Sequence, residues 1–200
     1  GNAIMTDELM RERYLPPYAA AVNQGVAAVM VGFNSLNGTN MHLHKHMVTN
    51  VLKGELGFDG VVLTDWNGGI RFGEPHEVIN AGVDIAMQPG NHNEFMSKLK
   101  ASVLDNTVPI SRINDAVNRI LKMKFELGLF TDPFAKSEYA AEVGSSAHRI
   151  VARQAVRESL VLLKSEYDVL PLKTQEPIAV VGKHGHNSGL QSGGWSVHWQ

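Results

Sequence analysis

The chain has 200 residues, of which 44% are hydrophobic and 19% are charged, and this composition is typical of a globular protein. Its formal net charge is −2 at pH 7, with acids and bases interspersed, which argues against nucleic acid or an anionic membrane as a partner. The absence of cysteine excludes disulfides and thiolate sites, and no apolar run approaches the roughly 20 residues that a membrane-spanning helix needs.

Hydrophobic periodicity switches repeatedly between Tyr14 and Met87, which is the pattern of strands alternating with helices and therefore of a parallel sheet. The continuous apolar run VAAVMVGFN, residues 26–34, predicts a strand covered on both faces. Asp84 stands at the start of a later predicted strand, which favours a structural role for it. The other predicted strands span 60–65 and 83–89, and the helices between them span 44–56 and 74–82.

Amphipathic helices are predicted after Pro89, over residues 93–106 and 111–130, and they would cover the outside of the sheet. A polar stretch with many small residues, 130–148, is the best candidate for a linker. It leads into a further predicted helix over 148–164.

A second α/β unit is predicted to begin near the end of the sequence. Residues 177–189 combine the apolar run IAVV with a glycine-containing loop, which is how such units usually start. Because the sequence stops inside a predicted loop, we expect it to be an internal part of a longer polypeptide. The predicted boundaries are 1–134 for the first domain, 135–176 for a linker with a crossing helix, and 177–200 for the start of the second domain.

The predicted strand GVVLTD ends on an acid and an indole, Asp65 and Trp66. The carboxyl ends of parallel strands are where α/β barrels and open sheets collect catalytic groups. A strand-terminal aspartate can also simply cap a following helix. Trp66 favours the catalytic alternative, because an indole beside the acid, followed by NGG rather than by a helix start, forms a platform for an apolar ring face.

A histidine cluster, HLHKH, spans residues 42–46, and His42 and His46 have the i, i+4 spacing of zinc ligands on one helix face. The motif H-E-x-x-H is incomplete here, and the spacing supplies no third ligand. We therefore predict a solvated or capping cluster, with no metal and no cofactor. The loop GKHGHNSG, residues 182–189, matches neither glycine motif for phosphate binding, so nucleotide binding is not predicted either.

Two of the three tryptophans, Trp195 and Trp199, lie close together in the stretch GGWSVHW. They either form an edge of the second domain's core or stand at the mouth of a cleft. In a cleft, a pair of indoles would stack on the C–H faces of a pyranose ring.

These motifs together resemble glycoside hydrolase family 3, which contains the β-glucosidases and the exo-acting β-glucan hydrolases. GFDGVVLTDW is similar to the family's nucleophile motif GF-G-V-SDW, and AGVDIAMQP is similar to AG-DM-M-P. RYLPPYAAAVNQGVAAVMVGFNSLNG resembles its run from a PF/PY turn to a YNS-NG loop, and QSGGWSVHWQ resembles the GGW…WQG segment of the exo-glucan hydrolase branch. The resemblance extends over nearly the whole chain.

The resemblance implies the C-terminal part of a TIM-like (β/α)8 barrel joined to the start of an α/β sandwich domain. It implies a retaining enzyme that hydrolyses terminal non-reducing β-D-glucosyl residues of β-glucosides or β-glucan oligosaccharides through a glycosyl-aspartate intermediate. Retention needs two carboxyl groups about 5 to 5.5 Å apart, one of them a nucleophile and the other an acid. We expect the acid beyond Gln200 and predict that these residues alone are inactive. A periplasmic or secreted location is also implied.

Carried over by position, Asp65 is the catalytic nucleophile. Two features depart from the usual pattern. Phe33 stands where the family usually has tyrosine, which removes a hydrogen bond near the nucleophile, and the loop that carries Arg71 is as short as in bacterial members. The residues implied to line the sugar subsites are Trp66, Arg71, Trp195 and Trp199, with Met30, Phe33 and Met87 packing around the glycone.

Other functions stay open at this point. The same family contains β-xylosidases and β-N-acetylglucosaminidases, and a relative could keep the fold as a non-catalytic carbohydrate-binding protein. The tryptophan pair and the start of a second domain argue against the single-domain glucosaminidases, whereas a xylosidase is harder to exclude. A metal-dependent hydrolase is the most distant alternative. The sequence does not indicate an oligomeric state.

Overall fold

The computed structural model describes residues 1–167, 170–173 and 175–193. The chain forms two compact units, Gly1–Ala135 and Lys136–Gln200. Short strands and helices alternate in the first unit, which therefore has an α/β fold. Within the described ranges, no helix combines the length and the apolar character needed to cross a membrane.

After one short strand, the first unit continues with a helix whose hydrogen-bonding pattern changes along its length, from α to π and back to α. In chain order the unit contains β1 (Asn2–Ala3), α1 (Asp7–Leu9), a π-helical segment (Met10–Tyr14), α2 (Leu15–Asn23), β2 (Ala28–Met30), β3 (Ser35–Leu36), β4 (Thr39–Asn40), a 3-10 turn (Met41–Leu43), a second π-helical segment (His46–Glu55), β5 (Val61–Leu63), α3 (Gly68–Arg71), α4 (Pro75–Asn80), α5 (His92–Leu104) and α6 (Ile110–Glu126).

β2 and β5 form the parallel pair that their apolar sequences predict, with Met30 opposite Leu63. The prediction that the run 26–34 is covered on both faces is wrong, because Met30 is 52% exposed. Only alternate residues such as Val31 turn into the core. The pair therefore buries one face of β2, whereas Val61 and Val62 of β5 are buried completely.

The strand predicted over 83–89 is wrong in extent, since it is reduced to one parallel bridge between Leu63 and Ile85. The backbone N–H groups of Asp84 and Ile85 both donate to the carbonyl of Val62, at 2.8 and 3.1 Å. In a regular ladder, the N–H groups of successive residues do not share one carbonyl. The shared carbonyl of Val62 therefore interrupts the ladder here. The segment still runs beside β5 and delivers the residues after Ile85 to the same edge of the sheet.

A second sheet joins the three short strands β1, β3 and β4. β3 and β4 pair antiparallel through a two-residue turn of Asn37 and Gly38, which have φ angles of 50° and 87°. Positive φ at both turn residues is the type I′ geometry, and Asn-Gly is its preferred sequence. Asn37 also bonds across to Met5 in both directions, which holds the segment after β1 against the hairpin.

Two helical segments are followed by glycines with a positive φ angle. Gly57 has a φ of +66° after the π-helical segment His46–Glu55, and Gly82 has a φ of +113° after α4. Glycine adopts this conformation without the steric cost that a Cβ atom brings. The start of α4 carries a reciprocal capping box between Glu74 and Glu77.

The core of the first unit consists of two apolar clusters. One packs the π-helical segment His46–Glu55 and α4 against β5, and the other packs α5 and α6 against α4. Each fully buried side chain contributes about 1.5–3 kcal/mol relative to exposure. The buried members are Val31, Val48, Leu52, Phe58, Val62, Val78 and Val83 in the first cluster, and Ile79, Phe95 and Val108 in the second.

A buried ion network centred on Asp84 lies beside β5. The carboxylate accepts from Lys53 Nζ at 2.8 Å, from the Val62 N–H at 2.9 Å and from the Arg112 guanidinium. Arg112 also pairs with Asp115. These contacts tie β5 to the helices around it and agree with the structural role predicted for Asp84.

The second unit contains a 3-10 segment (Ser137–Glu142), α7 (Ser146–Ser159) and α8 (Ser188–Ser192). The helix predicted over 148–164 therefore ends five residues early. The strand predicted at the start of 177–189 is wrong, because the apolar run that includes Ile178 and Val181 forms no strand and is exposed. A strand persists only when its backbone groups bond to a neighbour, and the described part of this unit offers none.

Candidate active site

Asp65 follows β5 at the carboxyl end of the strand, where the chain leaves the sheet. Its backbone N–H donates to His42 Nε2 at 3.1 Å, and its Oδ1 accepts from the Trp66 N–H at 2.6 Å. The residue is partly exposed. The first bond fixes the backbone of the acid, and the second restrains its carboxylate.

The capping alternative for Asp65 is not what the structure contains, because Asn67 occupies the N-cap position of α3. The expectation that NGG does not begin a helix is also wrong, since α3 starts at Gly68. Asn67 makes the turn possible by adopting a left-handed conformation with a φ of 56°. The acid and the indole therefore lie on a tight turn between β5 and a one-turn helix.

The two glycines of NGG permit close packing beneath this turn. A Cβ atom on Gly68 would lie 2.4 Å from His42 Nε2, and one on Gly69 would lie 2.8 Å from the Phe95 ring. Real side chains do not approach so closely, so both positions require glycine unless the rings move. The glycines thus bring the backbone of α3 against His42 and Phe95.

His42 is fully buried beneath Asp65, so the prediction that it belongs to a solvated or capping cluster is wrong for this residue. Its ring stacks on Phe72 with centroids 4.9 Å apart and lies 6.0 Å from the ring of Phe33. Burial lowers the pKa of His42 from its ordinary 6.5, and the negative charge of Asp65 opposes that shift in part. The neutral imidazole is therefore the form that this site favours.

The other two histidines of the cluster behave as the sequence predicts. His44 Nδ1 accepts from the Met47 N–H at 3.4 Å, near the start of the π-helical segment His46–Glu55, and His46 is exposed. Burial is the main cause that lowers the pKa of His44, and the charge of the neighbouring His46 lowers it further. Across the described ranges, no group of three or more histidines and acids is arranged to hold a metal ion.

Phe33 and Arg71 come together beside His42. The Arg71 guanidinium carbon lies 4.6 Å from the centre of the Phe33 ring and 5.6 Å from that of Phe72. This is the distance range of a cation–π contact. Two of the residues assigned to sugar binding by resemblance are thus in direct contact, and both are exposed.

Met87 and Gln88 approach the site from the segment after Ile85. The Met87 N–H donates to Thr64 Oγ1 at 2.7 Å, directly before Asp65 in the chain. The Gln88 amide nitrogen donates to Asn67 Oδ1 at 3.2 Å. The turn that carries Asp65 and Trp66, together with Thr64 before it, is therefore hydrogen-bonded both to the segment Met87–Gln88 and to His42.

Met30 is placed differently from the other predicted residues. It lines an apolar cavity together with Tyr14 and Tyr18, and Asp65 is not part of that cavity. Trp66 is 36% exposed beside the acid. Trp195 and Trp199 lie outside the described residues.

The family profile described as "Glycosyl hydrolase family 3 N terminal domain" matches residues 2–123, which is more than half of the chain. The chain belongs to glycosyl hydrolase family 3. This match includes β5, Asp65 and α3, so the turn described above lies within the family's N-terminal domain.

Curated members of family 3 are similar over nearly all of this sequence. The lysosomal beta glucosidase of Dictyostelium discoideum is 33% identical over 214 residues, covering 99% of this chain and 26% of that protein. The periplasmic beta-glucosidase of Salmonella typhimurium is 32% identical over 210 residues, covering 96% of this chain and 27% of that protein. The chain thus spans about a quarter of the length of these relatives.

A solved family 3 structure has the same fold over most of the chain. The exo-1,3/1,4-beta-glucanase of a Pseudoalteromonas species is 41% identical and superposes with a TM-score of 0.74, covering 86% of this chain and 23% of that one. At this identity the similarity concerns sequence as well as architecture.

Sequence reasoning missed residues that support the turn carrying the acid. His42, Asn67 and Gln88 are all bonded to the turn around Asp65, yet none was singled out as a neighbour of it. One signal was available for His42, because it stands between the apolar Met41 and Leu43. A histidine flanked in this way is a candidate for burial, whereas the pairing of Gln88 with Asn67 has no local signature.

Proposed function

We propose that this chain is the nucleophile-bearing part of a retaining β-glucosidase or exo-β-glucan hydrolase that removes terminal non-reducing β-D-glucosyl residues. The observation that carries the proposal is the position of Asp65, at the carboxyl end of β5 within the family 3 domain. The similar proteins named β-glucosidase and exo-β-glucanase support the substrate class. The substrate is then a β-glucoside or a β-glucan oligosaccharide.

The proposed reaction has two steps. A carboxylate oxygen of Asp65 attacks the anomeric carbon and forms a glycosyl ester, while the bond to the leaving oxygen breaks and that oxygen takes a proton from an acid. The same acid, now a base, takes a proton from water, which attacks the anomeric carbon and frees Asp65. The acid is proposed to lie beyond residue 200, in the second domain.

Asp65 has to be ionised and fixed in direction to act as the nucleophile. The N–H of Trp66 donates to its Oδ1, which restricts the rotation of the carboxylate. The indole of Trp66 stands next to the acid and supplies an apolar surface on which a sugar ring can stack. We propose that Arg71, Phe33 and Met87 surround the same subsite.

Met30, Trp195 and Trp199 remain proposed members of the sugar site on the strength of the resemblance. We also propose that the first unit is the C-terminal part of a (β/α)8 barrel, with boundaries at 1–134, and that 135–176 cross to an α/β sandwich domain beginning at 177. A periplasmic or secreted location is proposed as well, and one similar protein is named as periplasmic.

The experiment that tests the function is trapping with a 2-deoxy-2-fluoro glucoside on the complete polypeptide that contains these residues. We expect one label per chain, located on Asp65 by peptide sequencing. Asp65→Asn should lower kcat on the order of 10⁶-fold, which is the size of the loss when another hydrolase loses its nucleophile. Asp59→Asn is the matched control, because Asp59 is an exposed acid that pairs with Lys122 and should leave turnover unchanged.

The outcomes separate the proposal from its alternatives. A label on any residue other than Asp65 would refute it. Turnover of aryl β-xylosides or N-acetylglucosaminides with a higher kcat/KM than glucosides would assign the chain to one of the other activities. Binding of β-glucan without any turnover by the complete polypeptide would identify a non-catalytic relative.

A further inference from the structure

Each ring nitrogen of the buried His42 has one defined partner. Nε2 lies 3.1 Å from the backbone nitrogen of Asp65, and Nδ1 lies 2.9 Å from Asn40 Oδ1. A backbone N–H can only donate, so Nε2 must be the unprotonated nitrogen and accept. The proton is then on Nδ1 and is donated to Asn40.

Asn40 is held in the orientation that this arrangement needs. Its Oδ1 also accepts from the His42 backbone N–H at 3.0 Å, and its Nδ2 donates to the carbonyl of Phe33 at 3.0 Å. If the amide of Asn40 were turned over, its NH₂ group would face Nδ1–H and the backbone N–H of His42. Hydrogen-bond donors would then meet donors, which is unfavourable. Asn40 thus sets the tautomer of His42 and connects it to the loop that follows β2.

Packing leaves the ring of His42 little freedom to leave this position. The ring is fully buried, stacks on Phe72, and lies against the backbone of Gly68, where a Cβ atom would approach to 2.4 Å. A hydrogen bond between buried, fixed groups keeps its geometry, since neither partner can turn to water. The backbone of Asp65 is therefore held by a side chain that is itself fixed, just beyond the end of β5.

We propose that His42 is a positioning residue for the nucleophile: its Nε2 holds the backbone of Asp65, with Asn40 fixing the tautomer, so that the carboxylate meets the anomeric carbon in the attacking geometry. The inference rests on the proposed function, since it needs Asp65 to be the nucleophile. His42 itself touches no substrate in this scheme. Its effect reaches the reaction only through the placement of Asp65.

The test measures the reaction of Asp65 alone, on the complete polypeptide, with 2,4-dinitrophenyl 2-deoxy-2-fluoro-β-D-glucoside as the probe. The bond from the anomeric carbon to dinitrophenolate breaks while the bond to Asp65 forms, and dinitrophenolate leaves without needing a proton. The number of labels per chain counts the folded sites, and the rate constant of labelling reports the reactivity of each site. A positioning role changes the rate constant, whereas a merely structural role changes the number of sites.

The variants are chosen by the reach of their acceptor atoms. His42→Gln places an amide oxygen near the position of Nε2 and should label within about threefold of the wild-type rate constant. His42→Leu removes the acceptor and should slow labelling about 10- to 100-fold per site, because a misplacement of about 1 Å has effects of that size. His44→Leu is the matched control from the same cluster and should label like the wild type.

Several results would overturn the inference. Labelling of His42→Leu at the wild-type rate constant, or of His42→Gln as slowly as His42→Leu, would show that the acceptor is irrelevant. Fewer labels with an unchanged rate constant would assign His42 a structural role only. If His42→Leu does not fold, His42→Asn replaces it, because asparagine is too short to reach the Asp65 amide and should be slow where His42→Gln is fast. Wild-type protein labelled elsewhere than Asp65 would instead refute the proposed function.

Discussion

Replacing Asp84 by asparagine should strongly destabilise the first unit, because it removes the negative charge at the centre of the buried ion network. The side chain of Asp84 is 0% exposed, and those of Lys53 and Arg112 are 7% and 15% exposed. Asp84→Asn keeps the shape of the side chain while leaving two nearly buried cations without their main partner. Burial already lowers the pKa of Lys53 more than the hydrogen bond to Asp84 raises it.

The size of the effect follows from what remains after the substitution. Breaking a buried pair by removing one partner costs about 3–5 kcal/mol, since the other charge stays buried and uncompensated. Asp115 is still present, 3.9 Å from Lys53 and paired with Arg112, and it is partly exposed. Its charge offsets part of the loss, so we expect the lower end, about 3 kcal/mol.

Hydrogen exchange measured by mass spectrometry suits this prediction, because it reports on one segment of a long polypeptide. A loss of about 3 kcal/mol should speed exchange of the β5 amides about 10²-fold. Asp59→Asn is the control, since Asp59 and Lys122 are 77% and 48% exposed and such pairs contribute about 0–1 kcal/mol. If Asp84→Asn changed the exchange of β5 no more than Asp59→Asn does, the reasoning about the buried network would be refuted.

Three further predictions concern packing, pH and completeness. Gly68→Ala places a Cβ atom 2.4 Å from His42 Nε2 and should cost about 1–3 kcal/mol in denaturant midpoint analysis, whereas Gly54→Ala, 3.4 Å from its nearest neighbour, should cost less than about 1 kcal/mol. The lowered pKa of His42 means that below its ordinary 6.5 the unfolded chain binds a proton that the folded chain does not. Stability should therefore fall as pH drops below 6.5, by up to about 1.4 kcal/mol per pH unit until the folded pKa is passed, and His42→Gln should flatten this slope, with His44 contributing the remainder. The 200-residue chain alone should not hydrolyse an aryl β-glucoside that the complete polypeptide turns over, and measurable turnover by the chain alone would contradict the assignment of the acid to a later segment.

The elements of the first unit could be predicted from the sequence where a local signal decides the structure. The apolar runs of β2 and β5, the amphipathic pattern of α6 and the glycines after the helices all act within a few residues of where they stand. The prediction of the strand 83–89 was wrong in extent because the length of this strand depends on which carbonyl accepts from the N–H groups of Asp84 and Ile85. That carbonyl belongs to Val62, which is distant in sequence. The strand predicted after residue 177 failed because a strand needs a partner that the local sequence does not specify.

Some residues of the candidate site could likewise be predicted from the local sequence, whereas others could not. Asp65 and Trp66 could be singled out because the end of a parallel strand is readable from its apolar run. The apolar neighbours Met41 and Leu43 only make His42 a candidate for burial, because its actual burial depends on Gly68 and Phe72 contacting its ring from more than 20 residues further along the chain. The helix α3 was missed because the left-handed turn at Asn67 is stabilised by Gln88 and Gly90, which are also distant in sequence.

The contact between Arg71 and Phe33 bears on the residue that departs from the family's usual tyrosine. A tyrosine hydroxyl would offer a hydrogen bond near the nucleophile, which phenylalanine cannot. The ring face of Phe33 is instead occupied by the Arg71 guanidinium, 4.6 Å from its centre. A cation–π contact orients a guanidinium without using its N–H groups as donors. These groups lie in the guanidinium plane and can donate to a sugar oxygen. Of this pair, Arg71 is therefore the residue that can donate a hydrogen bond, and it does so from a position against the Phe33 ring.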